Sequence, residues 1–267
     1  MEWLHIAVLA LIQGVTEFLP ISSSGHLLLP AALLGWEDQG LAFDVAVHVG
    51  TLLAVVTYFR NSLWEMGRDW LGQVSGQRQA TEHSRLAWFV IMATVPTALA
   101  GLLLDSLIET HLRTTLVLAT TTIVFGLALG WADWRGARVH SLMDMTWKAA
   151  LIVGLAQMLA LIPGTSRSGI TITAALLLGF TRHDAARFSF LLSVPIIALS
   201  GGYKALQLWL QSDGAPWGDL LMGAALAGLS AFVCIHYFMQ YISRIGMQPF
   251  VVYRLLLGGV LLWVALS

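Results

Sequence analysis

Pro20-Ile21-Ser22-Ser23-Ser24-Gly25-His26 and Pro163-Gly164-Thr165-Ser166-Arg167-Ser168-Gly169 are two polar, glycine-containing turns, each set between short apolar runs. The runs are Trp3–Ile12 and His26–Trp36 around the first turn, and Ala149–Pro163 and Ile170–Phe180 around the second. Crossing a bilayer as a helix takes about 20 apolar residues, so none of the four is long enough. A turn at membrane depth cannot face lipid, because its N–H and C=O groups would have no partners. It must be buried in protein or line a wet cavity. Each pair therefore reads as a helical hairpin that dips into a membrane and returns.

Six further runs are long enough to cross: Leu41–Phe59, Leu86–Leu104, Thr115–Ala132, Phe188–Leu210, Trp217–Phe238 and Pro249–Leu266. Of the 267 residues 57% are hydrophobic and 11% charged. A water-soluble domain carries roughly 25% charged residues. The expected fold is an all-α integral membrane protein of six transmembrane helices plus two re-entrant helical hairpins. The formal net charge of −1 says nothing about nucleic acid, but there is no basic tract to bind it, so no nucleic-acid partner is expected. The single cysteine, Cys234, lies in an apolar run and is read as a packing residue. Met1-Glu2-Trp3 lacks the basic region of a secretory signal, so the first run is taken as part of the mature protein. The polar connection around Gly67–Ser84 is read as a surface segment without chemistry.

The two turns are related by a shift of 144 residues, which lays Trp3 on Trp147, Gln13 on Gln157, Ser22 on Ser166, Ser24 on Ser168, Gly25 on Gly169 and Gly35 on Gly179. The single membrane domain thus reads as a first repeat over residues 1–134 and a second over 147–267. Three crossings separate the two hairpins, and an odd number inverts the second repeat, so the hairpin tips meet near the midplane. Arg60, Arg68, Arg78, Arg85, Arg135, Arg138, Lys148, Arg182, Arg187 and Arg244 gather in the connections of one face. By the positive-inside rule that face is cytoplasmic, and both termini lie outside the cytoplasm.

Ionisable groups at membrane depth are costly and mark function by default. Glu17 stands in the apolar run Ile12–Ile21, and Arg167 at the tip of the second hairpin. A guanidinium cannot escape burial by losing its proton, and its planar fork matches phosphate oxygens. Ser22, Ser23, Ser24 and Gly25 precede a helix opening at His26, which makes a ready anion cradle. His26 titrates near neutral pH and can move a proton. Ser166, Ser168 and Thr171 add hydroxyls beside Arg167. Asp44, His48, His236 and Arg254 are read as structural, close enough to helix ends to snorkel or pair locally.

Gln13-Gly14-Val15-Thr16-Glu17-Phe18-Leu19-Pro20-Ile21-Ser22-Ser23-Ser24-Gly25-His26 and Pro163-Gly164-Thr165-Ser166-Arg167-Ser168-Gly169-Ile170-Thr171 resemble the two signature motifs of the bacterial undecaprenyl-diphosphate phosphatases of the bacitracin-resistance type. The resemblance spans the chain in length, order and spacing. It implies an enzyme of the bacterial inner membrane that hydrolyses undecaprenyl diphosphate to the monophosphate carrier and phosphate for cell-wall synthesis. It also implies a site open to the outer face and a divalent cation, Mg²⁺ or Ca²⁺. Gln13 stands where many members carry a second glutamate, so Glu17 holds the cation with Gln13 as at most a neutral oxygen ligand. Carried onto this chain, the resemblance gives Glu17, Ser23, His26 and Arg167 the chemistry. Gln13, Ser22, Ser24, Gly25, Ser166, Ser168 and Thr171 then contact the substrate. Ser23 with His26 offers a nucleophile and its base; alternatively His26 activates water or attacks phosphorus itself. The rival reading is a polyprenyl-phosphate flippase or transporter, which would need cations for the anion but no nucleophile.

Overall fold

The computed structural model describes residues 3–36, 40–211 and 217–266. Among them are eleven α-helices: α1 (Trp3–Phe18), α2 (Ser23–Leu34), α3 (Gly40–Tyr58), α4 (Arg60–Val74), α5 (Glu82–Leu107), α6 (Thr115–Arg135), α7 (Trp147–Met158), α8 (Arg167–Leu177), α9 (Arg182–Gln211), α10 (Trp217–Ile245) and α11 (Gln248–Leu266). Helices α3, α5, α6, α9, α10 and α11 are long and apolar enough to cross a membrane. Their outer faces carry exposed Leu53, Leu103, Leu127, Leu229 and Leu256, as lipid-facing helices should. Helical runs satisfy their own backbone, the condition a hydrocarbon solvent imposes.

One connection holds a helix that the sequence reading did not name. The first part of the polar segment, from Gly67 to Val74, is the end of helix α4, whose Trp64, Leu71 and Val74 are exposed while Met66 and Asp69 are buried. Its low mean apolarity hid an amphipathic helix. Asp69 is held by Arg68 at 3.0 Å, by Arg78 at 3.2 Å and by the Thr81 hydroxyl at 2.9 Å. The Thr81 bond first, and then Arg68, hold this carboxyl below the usual carboxylate range.

Helices α1 and α2 form one pair around a tight polar turn, and α7 and α8 another. The two turns match in backbone detail. Ser22 and Ser166 adopt φ of 72° and 70°, rare for a residue with a side chain. In each turn that serine lies 3.3 Å from the hydroxyl two residues on, Ser24 and Ser168 respectively. Gln13 and Gln157 are both fully buried.

The turns also touch each other. The Ser168 hydroxyl donates to the Leu19 carbonyl at 2.9 Å, and the Gly164 N–H donates to Ser24 Oγ at 3.4 Å. Between them lies Arg254 of α11, fully buried. Its Nη1 donates to Thr165 O at 3.0 Å and Pro20 O at 3.4 Å, and its Nη2 to Gly164 O at 2.9 Å. Its Nε reaches Thr122 O on α6 at 3.0 Å. The side chain read as snorkelling or pairing locally instead fans its donors over both turns. Unlike lysine, arginine has the donors to do so from one position.

Close helix approach depends on missing side chains. A Cβ on Gly14 would collide with the Ala227 carbonyl of α10, and one on Gly154 with the backbone of Ala93 in α5. Gly164 combines this with a φ of +90°, and a Cβ there would meet the Thr121 hydroxyl and the Leu118 carbonyl. Gly164→Ala is expected to destabilise the fold by roughly 2–5 kcal/mol, from backbone strain plus overpacking. Thermal unfolding in detergent checks this; a midpoint equal to the parent's would show that the second turn has slack.

Candidate active site

The site is built where the C-terminal end of α1 meets the N-terminal end of α8. Glu17, in the last turn of α1, has a side chain only 9% exposed, and Arg167 opens α8 with 11%. Arg167 Nη2 donates to Glu17 Oε1 at 3.4 Å, so residues 150 apart in sequence form an ion pair. The other arm, Nη1, donates to the Ser189 carbonyl of α9 at 3.1 Å, and the guanidinium lies 6.0 Å from the Phe18 ring centroid. These contacts fix the fork's plane.

The second carboxylate oxygen of Glu17 is a collecting point. Gln13 Nε2, one helical turn earlier, donates to it at 3.0 Å, and the Ser23 hydroxyl donates to it at 3.3 Å. His48 Nε2 of α3 stands 4.0 Å away and 3.2 Å from Gln13 Nε2. Gln13 Oε1 is buried without a hydrogen-bond partner, as is the Thr165 hydroxyl in the second turn.

His26 faces elsewhere. Its Nδ1 donates to the Ser22 carbonyl at 2.7 Å, which leaves the Nε2 lone pair of the neutral ring to accept from the Tyr253 hydroxyl at 2.7 Å. Ser23 is hydrogen-bonded to Glu17 rather than to His26. Of the remaining hydroxyls, Ser24 is exposed and Ser22 buried. Ser166 accepts from Gly169 N–H as the cap of α8, whereas Ser22 makes no side-chain cap bond to α2. The first-turn N–H groups of α2 are thus left without a serine cap, at a helix end that favours negative charge. Ser168 and Thr171 are fully buried; Thr171 bonds the Arg167 carbonyl at 2.8 Å and Ser189 Oγ at 2.7 Å. Gly25 is buried beside Leu257 of α11.

The structure thus gathers Gln13, Glu17, Ser23 and Arg167 into one cluster and sets His26 on Tyr253 beside it. Two guanidinium groups, Arg167 and Arg254, stand at the turns, and of these Arg167 pairs with the Glu17 carboxylate while Arg254 donates to backbone carbonyls. A cavity of about 400 Å³ lined by Val15, Leu19, Val233, Tyr237 and Phe250 lies on the other face of α1. Val15 and Leu19 are one turn apart, and Glu17 points away from them, so this apolar groove is separate from the polar cluster.

The family described as "Bacitracin resistance protein BacA" matches residues 6–260. The chain belongs to the BacA family. Similar curated relatives include three proteins named undecaprenyl-diphosphatase. One, from Teredinibacter turnerae, is 62% identical over 265 residues, covering 99% of this chain and 100% of the relative. Those from Saccharophagus degradans and Chromohalobacter salexigens are each 59% identical, over 268 and 266 residues, with 99% of this chain and 100% of each relative covered. BacA membership and the six long apolar helices make the chain a multi-pass membrane protein.

Sequence reasoning passed over Tyr253 and Ser189 and gave His48 and Arg254 only structural roles. Arg254 carried the clearest signal, a cation in an apolar run. For Tyr253 there was none, since an aromatic near a helix end is the ordinary membrane-interface pattern.

Proposed function

We propose that this BacA-family chain is an undecaprenyl-diphosphatase, which dephosphorylates undecaprenyl diphosphate to the monophosphate carrier and releases inorganic phosphate. The observation that carries the reading is the Glu17–Arg167 ion pair beside the Ser23 hydroxyl, at the meeting of two helix N-termini inside an apolar bundle. A diphosphate carries two to three negative charges, and its transfer is catalysed mainly by positioning and charge neutralisation. Arg167 takes the terminal phosphate in its fork, and the uncapped N–H groups of α2 hold a further oxygen. Ser22, Ser24 and Ser166 lie around this cradle.

The hydrogen bond from Ser23 to Glu17 favours Ser23 as nucleophile with Glu17 accepting its proton. A bond forms from Ser23 Oγ to the terminal phosphorus while the bridging P–O bond breaks. The monophosphate leaves on the prenyl chain. Water then cleaves the phosphoserine, and His26, with its Nε2 lone pair released from Tyr253, accepts the water's proton. Alanine changes at Ser22, Ser23 and Ser24 separate the candidates. Ser23→Ala is expected to lower kcat by roughly 10³-fold or more, and the other two by about tenfold or less. Persistent turnover in Ser23→Ala, with labelled water entering phosphate in one step, would transfer the attack to water.

Glu17 and Gln13 fit a divalent cation: a carboxylate and a buried amide whose oxygen has no partner. When bound there, Mg²⁺ or Ca²⁺ supplies charge neutralisation for the diphosphate oxygens. Purified protein in detergent is expected to release phosphate from undecaprenyl diphosphate, to stop in excess chelator, and to recover on adding Mg²⁺ or Ca²⁺. No phosphate release under any of these conditions overturns the function. Turnover that persists in chelator removes the cation and leaves Glu17 as base and arginine partner.

The topology belongs to the same proposal. Helices α1 and α7, with 16 and 12 residues, are too short to span, which supports two re-entrant hairpins. Three spanning helices lie between them, and the two turns match in φ and in hydrogen bonding, which supports an inverted repeat. With the arginine-rich face cytoplasmic, the first hairpin enters from outside, and the site opens to the outer face of the inner membrane.

A further inference from the structure

We infer that His48 is the third protein ligand of the divalent cation held by Gln13 and Glu17, and that it biases the site toward cations that accept nitrogen, Mn²⁺ ahead of Ca²⁺. This rests on the proposal that the site works with a divalent cation. His48 belongs to α3, a different element from the motif that carries the other two, and it enters the cluster from the side.

Three observations carry the inference. The first is geometry. Glu17 Oε2, His48 Nε2 and the Gln13 amide terminus form a triangle of 3.0, 3.2 and 4.0 Å. Neighbouring ligand atoms around a cation with bonds of about 2.1 Å stand roughly 3.0 Å apart in an octahedron and roughly 3.4 Å in a tetrahedron. Small side-chain movements bring all three onto one centre. The second is the histidine's tautomer. Nδ1 donates to the Asp44 carbonyl at 2.7 Å, which leaves the Nε2 lone pair facing Glu17 and Gln13. A metal-binding histidine usually donates its other ring N–H to a carboxylate, a backbone carbonyl or water, as His48 Nδ1 does here.

The third is the amide. Gln13 is fully buried, with Nε2 donating toward both Glu17 and His48 while Oε1 has no partner. The amide hydrogens occupy the place where two acceptors converge, where a cation's charge belongs. Rotating the amide by half a turn puts Oε1 there instead and breaks no hydrogen bond on the far side, because none exists. That rotation leaves three acceptors facing one point, which is stable only with a cation between them.

Among the described residues no three of His, Cys, Asp and Glu cluster in metal-binding geometry, so the amide oxygen is needed to complete the set. His48 is 32% exposed against 9% for Glu17, which leaves the cation's remaining positions on the open side, for water or phosphate oxygens. One nitrogen and two oxygens suit Mn²⁺ better than Ca²⁺, which prefers oxygen alone.

The test uses full-length protein in detergent and Mn²⁺ as the probe. Free Mn²⁺ is followed by its EPR signal during titration, and the bound ion by pulsed EPR for nitrogen coupling. The parent is expected to bind one Mn²⁺ with a histidine nitrogen coupled to it, and more tightly than it binds Ca²⁺ in competition. His48→Gln is expected to lose that coupling and to bind about 10–100-fold more weakly, with an unchanged unfolding midpoint. Bound Mn²⁺ without nitrogen coupling, or a coupling that survives in His48→Gln, overturns the role of His48 and leaves the cation in place. A parent that binds no Mn²⁺ and releases phosphate in chelator overturns both.

Discussion

Arg167→Lys is expected to lower kcat/KM by roughly 10²–10³-fold while leaving the unfolding midpoint within a degree or two of the parent's. Lysine keeps the charge beside Glu17 but has one nitrogen where arginine has a planar fork. In the structure the two arms of that fork point to different partners, Nη2 to Glu17 at 3.4 Å and Nη1 to the Ser189 carbonyl at 3.1 Å. A lysine can satisfy one of these and cannot hold the plane that the proposed phosphate site requires. The Nη2 bond to Glu17 is long for a charge-assisted pair, which typically closes to 2.7–2.9 Å. An arriving anion therefore displaces a weak contact. Phosphate release and unfolding, measured on the same preparation, check the result. Turnover within about threefold of the parent would mean that charge alone serves the site.

Arg254→Met is expected to cost stability and activity together: roughly 3–5 kcal/mol in unfolding, and at least a 100-fold loss of turnover. Methionine fills much of the same space and removes every donor. The carbonyls of Gly164 and Thr165 in one turn, Pro20 in the other and Thr122 of α6 then lose the guanidinium donor, and Gly164 O keeps only the Thr122 hydroxyl at 3.3 Å as a side-chain partner. Arg254 bridges both turns alongside their two direct hydrogen bonds, so its loss is expected to loosen the common position of Glu17 and Arg167. Thermal unfolding in detergent, paired with the phosphate assay, separates this from Arg167→Lys, where stability is kept. A stable, active Arg254→Met protein would show that Ser168 on Leu19 and Gly164 on Ser24 suffice to join the turns.

Much of the molecule was legible in its residues. The six long helices follow from unbroken apolar runs, because a chain in hydrocarbon must close its hydrogen bonds within each segment. The two turns and their correspondence followed from serines and glycines at one offset, and the matching φ of Ser22 and Ser166 shows that the same local chemistry gives the same local backbone. Glu17 and Arg167 stood out because a charge at membrane depth has few innocent explanations. The ends of elements were less legible. α1 runs on to Phe18 and α10 to Ile245, past the polar residues at which the apolar runs were cut. Tertiary packing supports a helix well beyond its apolar stretch.

What the sequence determined by itself is therefore local: which long apolar segments are helices, where the backbone turns, and which groups are costly enough in an apolar run to be candidates for a use. What the tertiary structure alone decided is pairing. Ser23 bonds to Glu17 and His26 to Tyr253, although the chain places Ser23 and His26 three residues apart. Arg254 braces both turns, and His48 reaches Gln13 across 35 residues. The physical reason is that a hydrogen bond depends on direction as well as distance along the chain. A side chain's direction is set by which helices cross beside it, and no stretch of sequence shorter than the whole bundle contains that.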